Sequence, residues 1–336
     1  MGNTIIGVAR DSIIKRYMSL DKFEKLVNSE AMYFSRFDSF EDNLEGGINN
    51  ANFPSISNSL KIFDAAIQFL PGTHKNDNPK NLNIIAEINS ETFPSLFGTQ
   101  RKIDGDAFLQ RVSSWLYASC WTDLPHECQA MWQLYGSSGS NCRHINGCAE
   151  CEKTQGMSVC IESTVGAVLD SLEMKENYNL SIQKIEYIDH QHTVFEDQDL
   201  LSRPFFSKAK HFSYENEVRF LLWPDRKDIN FSYKYQQSST NDIQNVELRI
   251  KNMNSFIGKI ILSPLPFKKT NIIHNYHMEK HQSTLGLQES LSNEHLRSKI
   301  KQLCDQKNIN VEIFDSDLNQ TLPIDCYTYK DNIHHP

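Results

Sequence analysis

Apolar and polar positions along this chain recur with two different periods, and the switches between them mark its elements. In "SLDKFEKLVNSEAMYFSRF", Leu20, Phe23, Leu26 and Val27 fall at helical spacing. They predict a helix that Ser19 or Asp21 can cap and Asn28-Ser29 ends. "AMYFSRF" then alternates like a half-buried strand before "DSFEDNLEGG" turns away. "FLQRVSSWLYASCWTD" reads as a helix running into a strand, and "ECQAMWQLYG" as a short aromatic-rich helix. "GMSVCIES" and "IQKIEYID" read as strands on either side of the helical "TVGAVLDSLEM". "SYENEVRFLLW" is the clearest strand. "VELRIKN", "IGKIILSP" and "NVEIFDS" add further strands, the last after the helical "NEHLRSKIKQLCDQ". The interleaving predicts an α+β chain with a mixed, mainly antiparallel sheet core and flanking helices.

A chain of 336 residues fits a single large domain. The expected core runs from about residue 10 to 265, with insertions at about 55–105 and 137–156 and a helix-strand extension over 266–336. The polar tract "PGTHKNDNPKNLNIIAEINSETF" reads as a surface loop or a helical insertion. No internal repeat or heptad run is present. The apolar share of 39%, with 19 Phe, 12 Tyr and 4 Trp, suffices for a buried core. No apolar run approaches the roughly 20 residues that span a bilayer, so no membrane partner is expected. "MGNTIIGVAR" lacks the apolar core of a secretion signal, and Ile6 stands where N-myristoylation wants Ser or Thr. The expected location is cytoplasmic. A net charge of -8 gives no global attraction for nucleic acid.

Eight cysteines without a secretion signal point to reduced thiols or a metal site before a disulfide framework. In "NCRHINGCAEC", Cys142, His144, Cys148 and Cys151 offer four soft or borderline ligands, enough for a structural zinc. Free surface thiols are the alternative. The other histidines read as polar surface sequence. The chain contains no H-E-x-x-H, P-loop, G-x-G-x-x-G or G-x-S-x-G pattern, which takes weight from zinc proteases, NTPases, Rossmann dehydrogenases and α/β-hydrolases.

Two stretches carry candidate chemistry. In "HFSYENEVRF" a strand would put Glu215, Glu217 and Arg219 on one face, with Val218, Phe220 and Leu222 opposite. That face is either solvated, with a Glu217–Arg219 cross-pair, or a polar cleft where one carboxylate stabilises a developing cation and the other serves an attacking group. In "SCWTDLPHECQAMWQLYG" a helix would align Glu127, Met131 and Tyr135 beside Trp132. Such a stripe reads first as core, and a buried Glu127 would need a partner.

These segments, in their order, resemble the bacterial family catalogued as domain of unknown function 2971. The likeness rests on "RYMSLDKFEKLVNSEAMYFSRFDSFEDNLEG", "SCWTD", "ECQAMWQLYG", "GMSVCIES", "KIEYID" and "FFSKAKHFSYENEVRFLL". Asn43 stands where that pattern commonly has proline, and the cysteine loop is an insertion in it. The chain is also similar to ADP-ribosyltransferases, in which an early strand holds NAD, a helix follows, and a late strand presents a catalytic glutamate. The middle Ser-Thr-Ser motif of that fold has no counterpart here. The second likeness implies NAD as the substrate, Glu217 as the carboxylate beside the ribose, and Glu215 assisting an acceptor. It implies Arg16 and Arg36 on the pyrophosphate, Tyr17, Phe37 and Trp132 stacking on rings, and Ser19 and Tyr135 in the same nucleotide site. The expected function is that of an ADP-ribosyltransferase or NAD glycohydrolase, an effector in bacterial toxicity or phage defence. Its partners would be a nucleotide, an acceptor macromolecule and a protein of a defence system. The alternatives are a non-catalytic nucleotide- or protein-binding sensor module, and a nuclease with a metal on Asp42, Glu45, Glu215 and Glu217.

Overall fold

A computed structural model of the chain describes residues 4–40, 42, 44–47, 52, 86, 90–102, 105–136, 157–227, 229, 231, 241–264 and 293–319. In chain order its elements begin with β1 (Thr4–Ile6), β2 (Ile13–Ser19), α1 (Leu20–Ser29), β3 (Ala31–Arg36), β4 (Thr92–Ser95), β5 (Gly98–Arg101) and α2 (Gly105–Val112). There follow β6 (Tyr117–Thr122), α3 (Gln129–Tyr135), β7 (Ser158–Thr164), α4 (Val165–Ser171), β8 (Tyr178–Lys184), β9 (Glu186–Ile188) and β10 (Ser207–Ala209). The last are β11 (Glu217–Pro224), β12 (Asn245–Arg249), α5 (Met253–Phe256), β13 (Lys259–Leu262), α6 (Glu294–Gln306) and β14 (Glu312–Phe314). The fold class is α+β, with mostly antiparallel pairing. Among the described residues no helix is long and apolar enough to cross a membrane.

The chain divides into two compact units that interleave along the sequence. The first comprises residues 1–12, 31–123 and 172–251. Its main sheet runs β1-β8-β11-β6-β3-β12, with the first pair parallel and the others antiparallel. β11 is buried along its whole length between β6 and β8. Its Leu221 and Trp223 enter an aromatic core with Phe37, Phe93, Phe97, Phe108, Trp115, Phe195, Phe205 and Phe231. Phe93 ends the polar tract expected at the surface, yet it is buried against Phe108, their ring centroids 5.5 Å apart. A ring of that size in a dry core is worth about 3–5 kcal/mol against truncation, which holds this end of the tract in place.

The second unit comprises residues 13–30, 124–171 and 252–336. Its sheet runs β2-β7-β13-β14, antiparallel except for the last pair. α1 buries Leu20, Phe23, Leu26 and Val27, as their spacing predicts. Ser19 is its N-cap residue but makes no side-chain capping bond, and its buried Oγ has no hydrogen-bond partner among the described residues. The Leu20 N–H instead donates to Met157 O at 3.2 Å, so the residue just before β7 satisfies the first N–H of this helix. α6 and β14 form the expected helix and strand of the C-terminal region, and β14 extends the sheet beside β13.

Candidate functional site

The first unit collects five charged side chains beside the start of β11. Glu217 and Arg219 point to one face of that strand, opposite Thr122 and Cys120 of β6. Arg219 Nε donates to Glu217 Oε1 at 2.6 Å, Nη1 to Phe205 O at 2.9 Å and Nη2 to Glu45 Oε2 at 3.1 Å. Lys208, in the middle of β10, lies 3.0 Å from Glu45 Oε1, 2.7 Å from Glu215 Oε2 and 3.6 Å from Glu217 Oε2. The Arg219 guanidinium also faces the Phe37 and Phe40 rings at 5.3 and 5.8 Å, and Lys208 Nζ faces Phe212 at 4.6 Å. All five are buried; Arg219 and Glu217 are 0% and 3% exposed.

This corrects two readings of "SYENEVRF". The face is not solvated. Glu215 is also not a strand residue: it ends a 3-10 turn, Lys210–Glu215, and Asn216 then takes a left-handed backbone with φ 40°. Thr122 Oγ1 holds Glu215 O, and the Asp123 N–H holds Asn216 O, which fixes the corner to the end of β6. The two glutamates still converge because both reach Lys208. A left-handed backbone costs most side chains about 1–2 kcal/mol and glycine almost nothing. Asn216→Val should therefore lower the melting temperature while Asn216→Gly leaves it nearly unchanged, as read by thermal unfolding.

The cluster separates its carboxylates electrostatically. Burial disfavours the Glu217 charge, but Arg219 and Lys208 outweigh it and hold its pKa below the usual carboxylate range. For Glu45 burial wins over the same two cations, and its pKa rises. Burial also works against the Lys208 ammonium, and Glu45, Glu217 and Glu215 more than offset it. Burial and then the Glu217 charge push the Cys120 thiol well up, so it stays a neutral S–H that donates to Glu217 and is no nucleophile. Tyr187, whose hydroxyl accepts the Glu217 N–H at 2.8 Å, is pushed up to about 12 by burial. The lowered Glu217 pKa means the unfolded chain takes its proton first as pH falls. Its contribution is full above the usual carboxylate range and is lost as pH drops through the folded value. Denaturant titrations from neutral to about pH 3 should show an acid loss of stability that is shallower in Glu217→Gln.

The remaining candidate residues fall elsewhere. Phe37 is buried on Arg219 and packs edge-on against Phe205 at 6.0 Å. Arg36 is committed to Asp38 Oδ1 at 2.6 Å and Asn241 O at 2.9 Å, which leaves less of its fork for a pyrophosphate than expected. Arg16, Tyr17, Ser19, Trp132 and Tyr135 belong to the second unit. There Tyr17 and Trp132 meet edge-on at 4.8 Å in a core with Met131, Cys160 and Ile261, so these rings pack on each other; Tyr135 is exposed. Arg16 is half-buried on β2. Cys142, His144, Cys148 and Cys151 lie outside the described residues. Among those described, no group of three or more His, Cys, Asp or Glu side chains is arranged to hold a metal ion.

No family model, curated protein or solved structure matches the chain.

Sequence reasoning singled out Glu215, Glu217 and Arg219 but missed Lys208 and assigned Glu45 only to a metal set. No periodicity marks Lys208, which lies on a three-residue strand. Glu127 precedes α3 and has found the partners a half-buried carboxylate needs: Trp132 Nε1 at 3.0 Å, Ser316 Oγ at 2.6 Å and the Asp317 N–H at 2.7 Å. Glu127→Ala should cost about 1–3 kcal/mol. It should also speed proteolytic cleavage within residues 312–319, since two of the three bonds hold that segment.

Proposed function

We infer that the chain is an NAD-consuming enzyme, an ADP-ribosyltransferase or NAD glycohydrolase, with Glu217 beside the reacting ribose and Glu215 serving the acceptor. The supporting observation is that Glu217 opens a buried strand with its carboxylate kept ionised by Arg219 and Lys208. When the nicotinamide–ribose bond breaks, its electron pair leaves with the ring nitrogen, and the ribosyl carbon shares a positive charge with the ring oxygen. A fixed carboxylate in dry surroundings stabilises that charge more than water does. Water or an acceptor hydroxyl then attacks and gives up its proton on the Glu215 side. Hydrolysis yields ADP-ribose, nicotinamide and a proton; transfer yields the modified acceptor in place of free ADP-ribose.

The order of motifs that is similar to the ADP-ribosyltransferases, an early strand and helix followed by a late glutamate strand, is in keeping with the same reading. An activity that depletes a shared cofactor suits a cytoplasmic effector of toxicity or phage defence, held in check by a protein partner. On spacing alone, the Cys142, His144, Cys148 and Cys151 loop is proposed to hold a structural zinc, which metal analysis of the purified chain reads directly.

The second reading is a sensor module that binds a nucleotide or protein without turnover. One observation favours it: both Glu217 oxygens already face cations, and the side chain is 3% exposed. Nicotinamide release from NAD, followed with the purified chain in the presence and absence of cell lysate, separates the two. Release by the chain alone indicates a glycohydrolase, and lysate-dependent release a transferase. Binding of NAD without release under either condition leaves the sensor module.

A further inference from the structure

Glu45 is held differently from the other four members of the cluster. Lys208 lies on β10, Glu217 and Arg219 lie on β11, and Glu215 is pinned through Thr122. Glu45 stands on the turn Leu44–Gly47, whose described backbone bonds are local: Glu45 N–H to Asp42 O at 3.1 Å, Gly47 N–H to Leu44 O at 2.9 Å, and Leu44 N–H to Asp42 Oδ1 at 2.9 Å. Its carboxylate places one oxygen 3.0 Å from Lys208 and the other 3.1 Å from Arg219. Two oxygens of one anion shared between an ammonium and a guanidinium is also how a phosphate diester would be held. Glu45 is the surplus charge as well. With it the cluster sets three carboxylates against two cations; without it the count is two against two.

We propose that Glu45 is an internal stand-in for an anionic ligand, occupying a subsite between Lys208 and Arg219 that a phosphoryl group of the substrate takes when the Leu44–Gly47 turn moves out. This rests on the reading of the site as one for NAD, and it accounts for the burial of Glu217 as a closed resting state. The exchange is neutral in charge: one monoanion leaves, one enters, and Glu215 and Glu217 continue to balance the cations. Among the described residues the turn is held by local backbone bonds and by the Glu45 side chain. Gly46, at φ 74°, lays its bare Cα against the Phe37 ring, where a Cβ would come within 3.0 Å of Cε1, and Leu44 is 47% exposed.

ADP-ribose is the probe, since it carries the pyrophosphate but not the scissile bond. Calorimetric titration of the full chain should show Glu45→Ala binding ADP-ribose at least about tenfold more tightly than wild type, because the internal competitor is gone. A parallel gain for inorganic pyrophosphate would assign the effect to the phosphates alone, and a gain confined to ADP-ribose would extend the subsite to the nucleoside. In the wild-type chain, saturating ADP-ribose should speed amide exchange at residues 44–47, a measurement that needs no variant to fold. Equal affinities, or exchange at the turn unchanged by ADP-ribose, would overturn the proposal. Tighter ADP-ribose binding without NAD cleavage keeps the subsite and removes the enzyme; NAD cleavage with no gain in affinity removes the subsite alone.

Discussion

Arg219→Met is expected to destabilise the chain by about 3–5 kcal/mol. Arg219 is fully buried, and it is the shared partner of Glu217, Glu45 and the Phe205 carbonyl. Methionine fills a similar volume but leaves two carboxylates facing an apolar side chain. Lys208 alone cannot neutralise both. Removing one member of a buried ion pair is costly because the other stays desolvated, and this holds even where the intact pair contributes little net stability. Urea unfolding read by tryptophan fluorescence tests it, with Arg219→Lys as the comparison. The lysine variant keeps the charge but cannot reach Glu217, Glu45 and the carbonyl with one planar fork, so an intermediate loss is expected. A methionine variant within about 1 kcal/mol of wild type would mean that Glu45 and Glu217 are hydrated in solution.

Glu217→Gln is expected to lower NAD turnover by about 10²–10³-fold, the usual consequence of removing a charge fixed beside a developing opposite charge. Glutamine preserves the shape and an amide oxygen that can accept from Arg219 Nε, so the circular dichroism spectrum should be retained. Glu215→Gln removes the group assigned to the acceptor and should slow transfer more than hydrolysis. If Glu217→Gln folds and turns over NAD at the wild-type rate, Glu217 is not the residue beside the ribose. Its ion pairs would then be structural.

The contrast between α1 and the charged cluster shows what a linear reading can resolve. Leu20, Phe23, Leu26 and Val27 sit within ten residues, and their spacing alone dictates one buried stripe. Alternation along "EVRFLLW" likewise located β11 and put Glu217 and Arg219 on one face. The same rule failed one residue earlier. Glu215 and Glu217 differ by two in sequence, but a left-handed Asn216 separates a 3-10 turn from the strand, and period-two counting does not see that corner. Ser19 was a fair capping candidate by residue type, yet a backbone carbonyl from residue 157 satisfies the first N–H of the helix instead.

By itself the sequence determined the longer helices and strands, such as α1, α6, β7 and β11, that the class is α+β, and which late glutamates lie beside an arginine. Those properties depend on neighbours a few positions apart. Only the tertiary structure decided that the charges are buried and which of them pair. Glu45 and Arg219 are 174 residues apart, and Lys208 gives no periodic signal. A charged residue in isolation belongs in water. What reverses that preference here is a set of opposite charges assembled from separate elements, and the energy of that assembly depends on distances that no local pattern encodes.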